Sequence, residues 1–194
     1  GMSVLLCEAQ DFASGTSSRS SKLVHGGIRY LENLEFGLVH EALTERTLLL
    51  EKAPHMVHPI RFLLPIYKTS RVGLLKMELG MILYDILSLF EAPQLHEMHF
   101  KSGTQEAEPL LQSDHLVGSV EYSDAFMEDD RLVIETLRSA HSLGAECVNY
   151  TSVDNIVETE DGVSAQITDG VQKKSYQVKA QHVVCALGPW TDIS

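Results

Sequence analysis

Apolar and polar positions change period several times along the chain, and each change predicts a different element. Ser3-Val4-Leu5-Leu6-Cys7-Glu8 is a short apolar run closed by a carboxylate, the pattern of a buried strand in a parallel sheet with Glu8 at its carboxyl edge. Small hydroxyl residues then dominate from Ala13 to Lys22 and Gly26-Gly27 follow, which predicts a loop whose backbone can approach a ligand closely. Between Tyr30 and about Lys52, Leu31, Leu34, Leu38, Ala42 and Leu49 keep helical spacing, and Pro54 stops the helix. Arg61 to Ile66 reads as a strand, with Pro65 at its end or on a sheet edge.

A second helix is predicted from about Arg71 to Phe90. Arg71, Glu78 and Asp85 recur every seven residues on one narrow stripe, and the rest of its surface is largely apolar. Such a helix is either packed between layers of its own protein or offered to a partner subunit or membrane surface, with Lys68, Arg71 and Lys76 near its start. Leu95 to Ser113 reads as irregular, and Val117 to Tyr122 as a strand delivering Ser123-Asp124 to a loop. A helix then starts near Asp129, turns Leu132, Val133, Thr136, Leu137 and Ala140 inward and ends at Gly144, and Glu146 to Val153 returns as a strand. The last third shortens its period. Strands at 155–158, 163–168 and 175–178 are separated by Glu160-Asp161-Gly162 and Asp169-Gly170, the signature of an antiparallel meander. His182 to Ala186 reads as another buried strand leading into Leu187-Gly188-Pro189-Trp190.

Composition narrows the class without changing the elements. With 194 residues, 44% hydrophobic content and 13 Gly against 6 Pro, the chain is long enough for one folded domain with a real core. The net charge of −12 disfavours binding to nucleic acid through a basic face. Cys7, Cys147 and Cys185 lack any CxxC spacing, so they read as free thiols of a reducing compartment. Gly1 before Met2 reads as a tag remnant, no signal peptide is expected, and Lys76, Glu78 and Asp85 interrupt the 72–90 segment too often for a membrane span.

Candidate chemistry begins with two His-x-x-His pairs, His55/His58 and His96/His99. Pro54 and Pro59 break any helix at the first pair and no Cys lies near either, so structural or surface histidines are expected there and no metal. Neither a Gly-x-Ser-x-Gly elbow nor a Walker-type phosphate loop occurs, which removes hydrolase and P-loop readings. An acidic residue at a strand end, as Glu8 is, suits ribose hydroxyls in a dinucleotide fold, or is an ordinary solvated carboxylate. His25 is chemically able to accept a proton from a substrate hydroxyl or only to hydrogen-bond its surroundings, and Arg29 suits either a phosphate or a structural salt bridge.

Read as one stretch, residues 11–31, from Asp11-Phe12 through Ser17-Ser18-Arg19-Ser20-Ser21-Lys22 to His25-Gly26-Gly27-Ile28-Arg29-Tyr30-Leu31, resemble the aerobic-type FAD-dependent glycerol-3-phosphate dehydrogenases. The likeness continues through Arg46, Lys52-Ala53-Pro54-His55, Arg61-Phe62, Tyr84-Asp85, Tyr122-Ser123-Asp124, Asp129-Asp130-Arg131-Leu132 and Gly188-Pro189-Trp190. It implies an α/β fold of the FAD/NAD(P)-binding, Rossmann-like, D-amino-acid-oxidase-like kind with an inserted α+β substrate domain. Residues 1–54 would then be partial FAD-binding domain, 55–125 substrate domain, and 126–194 the FAD-binding domain continued with its meander. The implied activity is oxidation of sn-glycerol 3-phosphate to dihydroxyacetone phosphate on FAD, with electrons passed to quinone. The setting implied is the inner face of a bacterial cell membrane, cytoplasmic and peripherally bound.

By the same resemblance Glu8 would hold the adenosine ribose, and Thr16, Ser17, Ser21, Lys22 and Leu23 would line the FAD. Val153 would offer backbone to the adenine, and Ala186 and Gly188 would let the chain pass close to the cofactor. His25, Arg29 and Tyr30 would be catalytic, with Arg29-Tyr30 at the substrate phosphate and hydroxyl. The sequence departs from the family where a Gly-x-Gly-x-x-Gly strand should precede Glu8 and where more substrate domain should follow Ser194. The expectation is therefore a fragment with an incomplete FAD site, inactive alone, whose first strand lacks a neighbour and favours a homodimer. A related flavin oxidase of a small hydroxy or amino acid, and a cofactor-free interaction remnant, are the alternatives.

Overall fold

The computed structural model describes residues 2–193, which divide into two compact units. One comprises the chain up to Arg19 and again from Asp130; the other is Ser20–Asp129. Strand β1 (Leu5–Cys7) opens the first unit, but it is not the buried strand expected: Leu5 and Leu6 are 43% and 38% exposed, because among the described residues β1 has a strand neighbour on one side only.

The second unit is an antiparallel sheet carrying helices. Its elements are β2 (Leu23–Val24), α1 (Phe36–Lys52), β3 (Val57–Tyr67), α2 (Leu74–Leu87), β4 (Glu97–Phe100), α3 (Lys101–Ala107) and β5 (Leu116–Met127). The long strand β5 organises the sheet: β3 pairs along one edge of it from Val57↔Met127 to Tyr67↔Leu116, while β2 and β4 pair with its two ends. Strand β3 lies at the sheet edge, which is where Pro59 and Pro65 cost no ladder hydrogen bond. Val39 and Leu43 of α1, Met81 and Tyr84 of α2 and Val120 of β5 form the buried core, each such apolar side chain contributing ~1.5–3 kcal/mol.

The first unit resumes with α4 (Asp129–Ser142), which Gly144 follows in a left-handed conformation (φ 98°). Next come β6 (Glu146–Val148), β7 (Thr151–Thr159), β8 (Gly162–Asp169) and β9 (Lys174–Ala180). Strand β6 pairs parallel to β1, and β7-β8-β9 form the antiparallel meander that the turn dipeptides predict.

The structure departs from the sequence expectations at several elements. The first helix starts at Phe36, after a 3-10 turn over Ile28–Asn33, and buries Val39, Leu43 and Arg46 rather than the stripe through Leu34 and Leu38, which are exposed. The offset arises because Arg46, a charged residue, occupies an inward position that only its buried partner makes tolerable. Residues 95–113 are not irregular throughout, since they contain β4 and α3. Ser123-Asp124 lie within β5 and not in a loop, because their polar groups are satisfied inside the fold. The strand expected over 146–153 is broken at Asn149-Tyr150, where Tyr150 takes a positive φ of 50°. Residues 182–186 form no strand and are exposed, Val184 at 86%: no described strand offers them a ladder, and an apolar run alone does not make one.

Candidate active site

The turn that carries His25, Arg29 and Tyr30 is assembled from glycines below and a short helix above. Gly26 and Gly27 are both buried. A Cβ on Gly26 would lie 2.3 Å from Leu43 Cδ2 and 2.3 Å from Tyr84 Oη, so only glycine fits between α1 and α2 there. Gly27 is left-handed (φ 68°), and its carbonyl accepts the Tyr30 amide at 2.8 Å, closing the first turn of the 3-10 segment. The result exposes His25, Arg29 and Tyr30 side by side in sequence on one anchored bend. Among the described residues Arg29 makes no salt bridge and the His25 side chain no hydrogen bond; the charge Arg29 acts on is Glu32, whose carboxyl Arg71 first, and Lys76 and Arg29 after it, hold below its ordinary range.

A buried charge cluster holds that bend from inside. Asp124 Oδ1 accepts from Arg46 Nη1 at 2.9 Å, from Tyr84 Oη at 3.1 Å and from the Gly26 amide at 3.1 Å. Arg46 Nη1 also donates to the Ser123 carbonyl at 3.0 Å, while its Nε and Nη2 find no protein acceptor. Arg46 and Asp124 are 0% and 1% exposed, so each is the other's charge compensation in a dry setting. Burial, and after it the negative Asp124, pushes the Tyr84 phenol far above its ordinary range, which keeps it a neutral donor. Tyr122, edge-on to Tyr84, is pushed up to about 12 by burial first and Asp124 second.

The residues expected to line FAD divide between the units. In the first, the Glu8 amide donates to the Val148 carbonyl at 2.9 Å and the Glu8 carbonyl accepts from Thr151 at 2.8 Å, so Glu8 sits where β1, β6 and β7 meet. Its carboxylate accepts the Gln10 amide at 2.8 Å, and Val153 follows two residues along β7, half-buried to exposed at 41%. Thr16 and Ser17 form an exposed 3-10 turn beside Gly15, whose missing Cβ would lie 3.0 Å from the Trp190 ring; that contact brings the hydroxyl-rich loop to the Gly188–Ile193 turn. Gly188 is left-handed (φ 56°) with open space around it, and Ala186 is exposed. In the second unit, Lys22 takes φ 59° and its carbonyl accepts Met127 at 2.8 Å, Leu23 pairs with Phe126, and Ser21 is exposed.

Within the first unit the groups present suit a flavin dinucleotide in kind: the Glu8 carboxylate for ribose hydroxyls, the exposed Thr16 and Ser17 hydroxyls for phosphate, and accessible backbone at 186–188. The histidine pairs go elsewhere. His96 bridges Asp85 at 2.6 Å and Glu78 at 3.3 Å, and His99 meets Glu121 at 3.1 Å, while His55 and His58 are exposed. Among the described residues no cluster of three or more such side chains is arranged for a metal. What the sequence reading overlooked is the inward role of Arg46 and Asp124. The signal was present: Arg46 continues the Val39, Leu43 spacing, and Asp124 shares the strand face of Val120 and Tyr122.

The sequence matches the family described as FAD dependent oxidoreductase over residues 1–194. It is 41% identical over 193 residues to the aerobic glycerol-3-phosphate dehydrogenase of Bacillus subtilis, covering 99% of this chain and 35% of that protein. The structure is similar to that of glycerol-3-phosphate dehydrogenase from Bacillus halodurans complexed with FAD, with TM-score 0.72 and 31% identity over 99% of this chain and 30% of that one. L-proline dehydrogenase from P. horikoshii shares the fold, with TM-score 0.72 at 15% identity, covering 99% of this chain and 48% of that one. The chain thus spans about a third of the length of the glycerol-3-phosphate dehydrogenases it matches.

Proposed function

The chain belongs to the FAD dependent oxidoreductase family, and on that premise we propose that it is part of an enzyme oxidising sn-glycerol 3-phosphate to dihydroxyacetone phosphate. The observation that carries the reading is the anchored bend of residues 25–30, which carries an exposed imidazole, guanidinium and phenol within six residues. Bound FAD would supply the hydride acceptor for C2. Arg29 binds the substrate phosphate through its planar fork, and Tyr30 hydrogen-bonds a hydroxyl and so orients the carbon to be oxidised. His25 accepts the proton leaving the C2 hydroxyl at an imidazole nitrogen. Glu8 and Val153 hold the adenosine end, Thr16, Ser17, Ser21, Lys22 and Leu23 the phosphates and the approach to the flavin, and Ala186 and Gly188 leave room for it. Residues 1–54 and 126–194 serve the cofactor in this reading and 55–125 the substrate.

Quinone takes the electrons in the proposed cycle, and the enzyme rests on the inner, cytoplasmic face of the cell membrane. Support for the surface contact comes from α2, which leaves Leu75 (75% exposed) and Leu79 (61% exposed) in solvent near Lys76, Arg71 and Lys68. No helix among the described residues is long and apolar enough to cross a membrane. A homodimer is supported by β1, which has a strand neighbour on one side only among the described residues.

The test uses the full-length gene product loaded with FAD. Anaerobic glycerol 3-phosphate should bleach the flavin absorbance. Arg29→Ala should raise KM about 10- to 100-fold, as expected for losing a charge-assisted phosphate contact of ~1.5–3 kcal/mol. Bleaching by a small amino acid and not by glycerol 3-phosphate would sink the reading in favour of an amine oxidase.

A further inference from the structure

The Arg46–Asp124–Tyr84 cluster is more costly than packing alone requires. A buried ion pair is seldom more stabilising than the apolar side chains that could replace it, so its retention in a core of Val39, Leu43, Met81 and Val120 calls for another use. The hydrogen-bond pattern supplies one. Two side chains, Arg46 of α1 and Tyr84 of α2, donate to a single oxygen on β5, Asp124 Oδ1, and the third donor bound there is the backbone amide of Gly26. That amide directly follows His25 and lies three residues before Arg29. The same bend is walled by Leu43 and Tyr84, which leave no room for a Cβ on Gly26, so the anchor fixes the bend both by contact and by hydrogen bonding.

Resting on the function proposed above, we infer that Asp124, oriented by Arg46 and Tyr84, is a positioning residue for substrate oxidation. It grips the Gly26 amide and thereby sets where His25, Arg29 and Tyr30 stand. Arg46 supplies the compensating positive charge at 2.9 Å, and Tyr84 blocks rotation of the carboxylate by donating to the same oxygen. The bend is exposed on its outer side, and its defined position comes from this inner grip. None of the three side chains touches the substrate in this scheme; they act through the backbone of the bend.

Two variants test it in the full-length gene product with bound FAD. Asp124→Asn keeps shape and removes charge; Tyr84→Phe keeps the ring, removes one donor and leaves the ion pair, which gives a folded variant should the first not fold. Two quantities are read: amide hydrogen exchange across residues 25–30, and kcat per bound flavin with glycerol 3-phosphate. The expected result is exchange at Gly26 at least about tenfold faster in Asp124→Asn and less so in Tyr84→Phe, because opening the anchor exposes that amide. With it, kcat per bound flavin should fall about 10- to 100-fold in Asp124→Asn, the scale for an ångström-sized misplacement of reacting groups. A merely structural role would lower the melting temperature and the flavin content but leave kcat per bound flavin unchanged, and that outcome overturns the inference, as does unchanged exchange in both variants. If glycerol 3-phosphate fails to reduce the wild-type flavin while exchange still rises in the variants, the function reading fails and the anchoring of the bend stands apart from it.

Discussion

Gly26→Ala is the substitution for which the structure gives the sharpest expectation. The new methyl would sit 2.3 Å from Leu43 Cδ2, 2.8 Å from Leu43 Cγ and 2.3 Å from Tyr84 Oη. Carbon contacts relax near 3.5–4.0 Å, so something must move by roughly 1.2 Å or more. Leu43 and Tyr84 are 1% and 2% exposed and packed on Met81, Val39 and Val120, so moving them overpacks the core at ~1–3 kcal/mol. Moving the bend instead stretches the Gly26 amide away from Asp124 Oδ1, and a hydrogen bond to a charged group contributes ~1.5–3 kcal/mol. The loss of backbone freedom in the unfolded chain returns ~0.4–1 kcal/mol. The net destabilisation is therefore about 1–2 kcal/mol whichever way the strain is relieved. Gly80→Ala is the internal control: it lies inside α2 with open space around it and should stabilise by ~0.5–1 kcal/mol. Urea denaturation followed by far-UV circular dichroism, at matched slopes, measures both. Gly26→Ala found as stable as Gly80→Ala would refute the packing argument, because no arrangement of these neighbours accommodates the methyl without cost.

Other consequences concern pH. Tyr122, raised from 10.0 to about 12 chiefly by burial, keeps its proton better folded than unfolded. Its contribution to stability is thus complete below pH 10 and is lost as pH rises towards 12; Tyr122→Phe should flatten that part of the alkaline unfolding profile, and an unchanged profile would show that the phenol is not responsible. On the acid side, the hydrogen bond from Arg71, at 2.8 Å, is the first cause holding Glu32 below its ordinary 4.5. Its contribution is present above pH 4.5 and disappears as pH falls through the lowered value, so wild type and Arg71→Ala should converge in stability there and in high salt. Divergence on acidification would contradict the assignment.

Local signals and long-range ones were unequally legible in this sequence. The meander was readable because each turn announces itself: Asp161-Gly162 and Asp169-Gly170 end strands whose partners lie a few residues away. The strand β1 with Glu8 beyond its end, and α4 stopping before Gly144, were readable for the same reason, each element carrying its own start or stop. The resemblance in residues 11–31 pointed to the His25 to Tyr30 bend and, further along, to Arg46, Tyr84 and Asp124, but attached no task to the last three. The helical stripe through Leu31, Leu34, Leu38, Ala42 and Leu49 leaves Arg46 off the expected apolar face, and Asp124 is expected in a loop, because in the absence of a partner a charge belongs in water. The partner is 78 residues away, and only the antiparallel pairing of β5 with β3 and the seating of α1 and α2 on that sheet bring the two charges to 2.9 Å. The misreadings at 34–38 and at 123–124 therefore share one physical cause. They mark the place where the fold departs from its cheapest local solution, and that place is directly beneath the bend that presents His25, Arg29 and Tyr30.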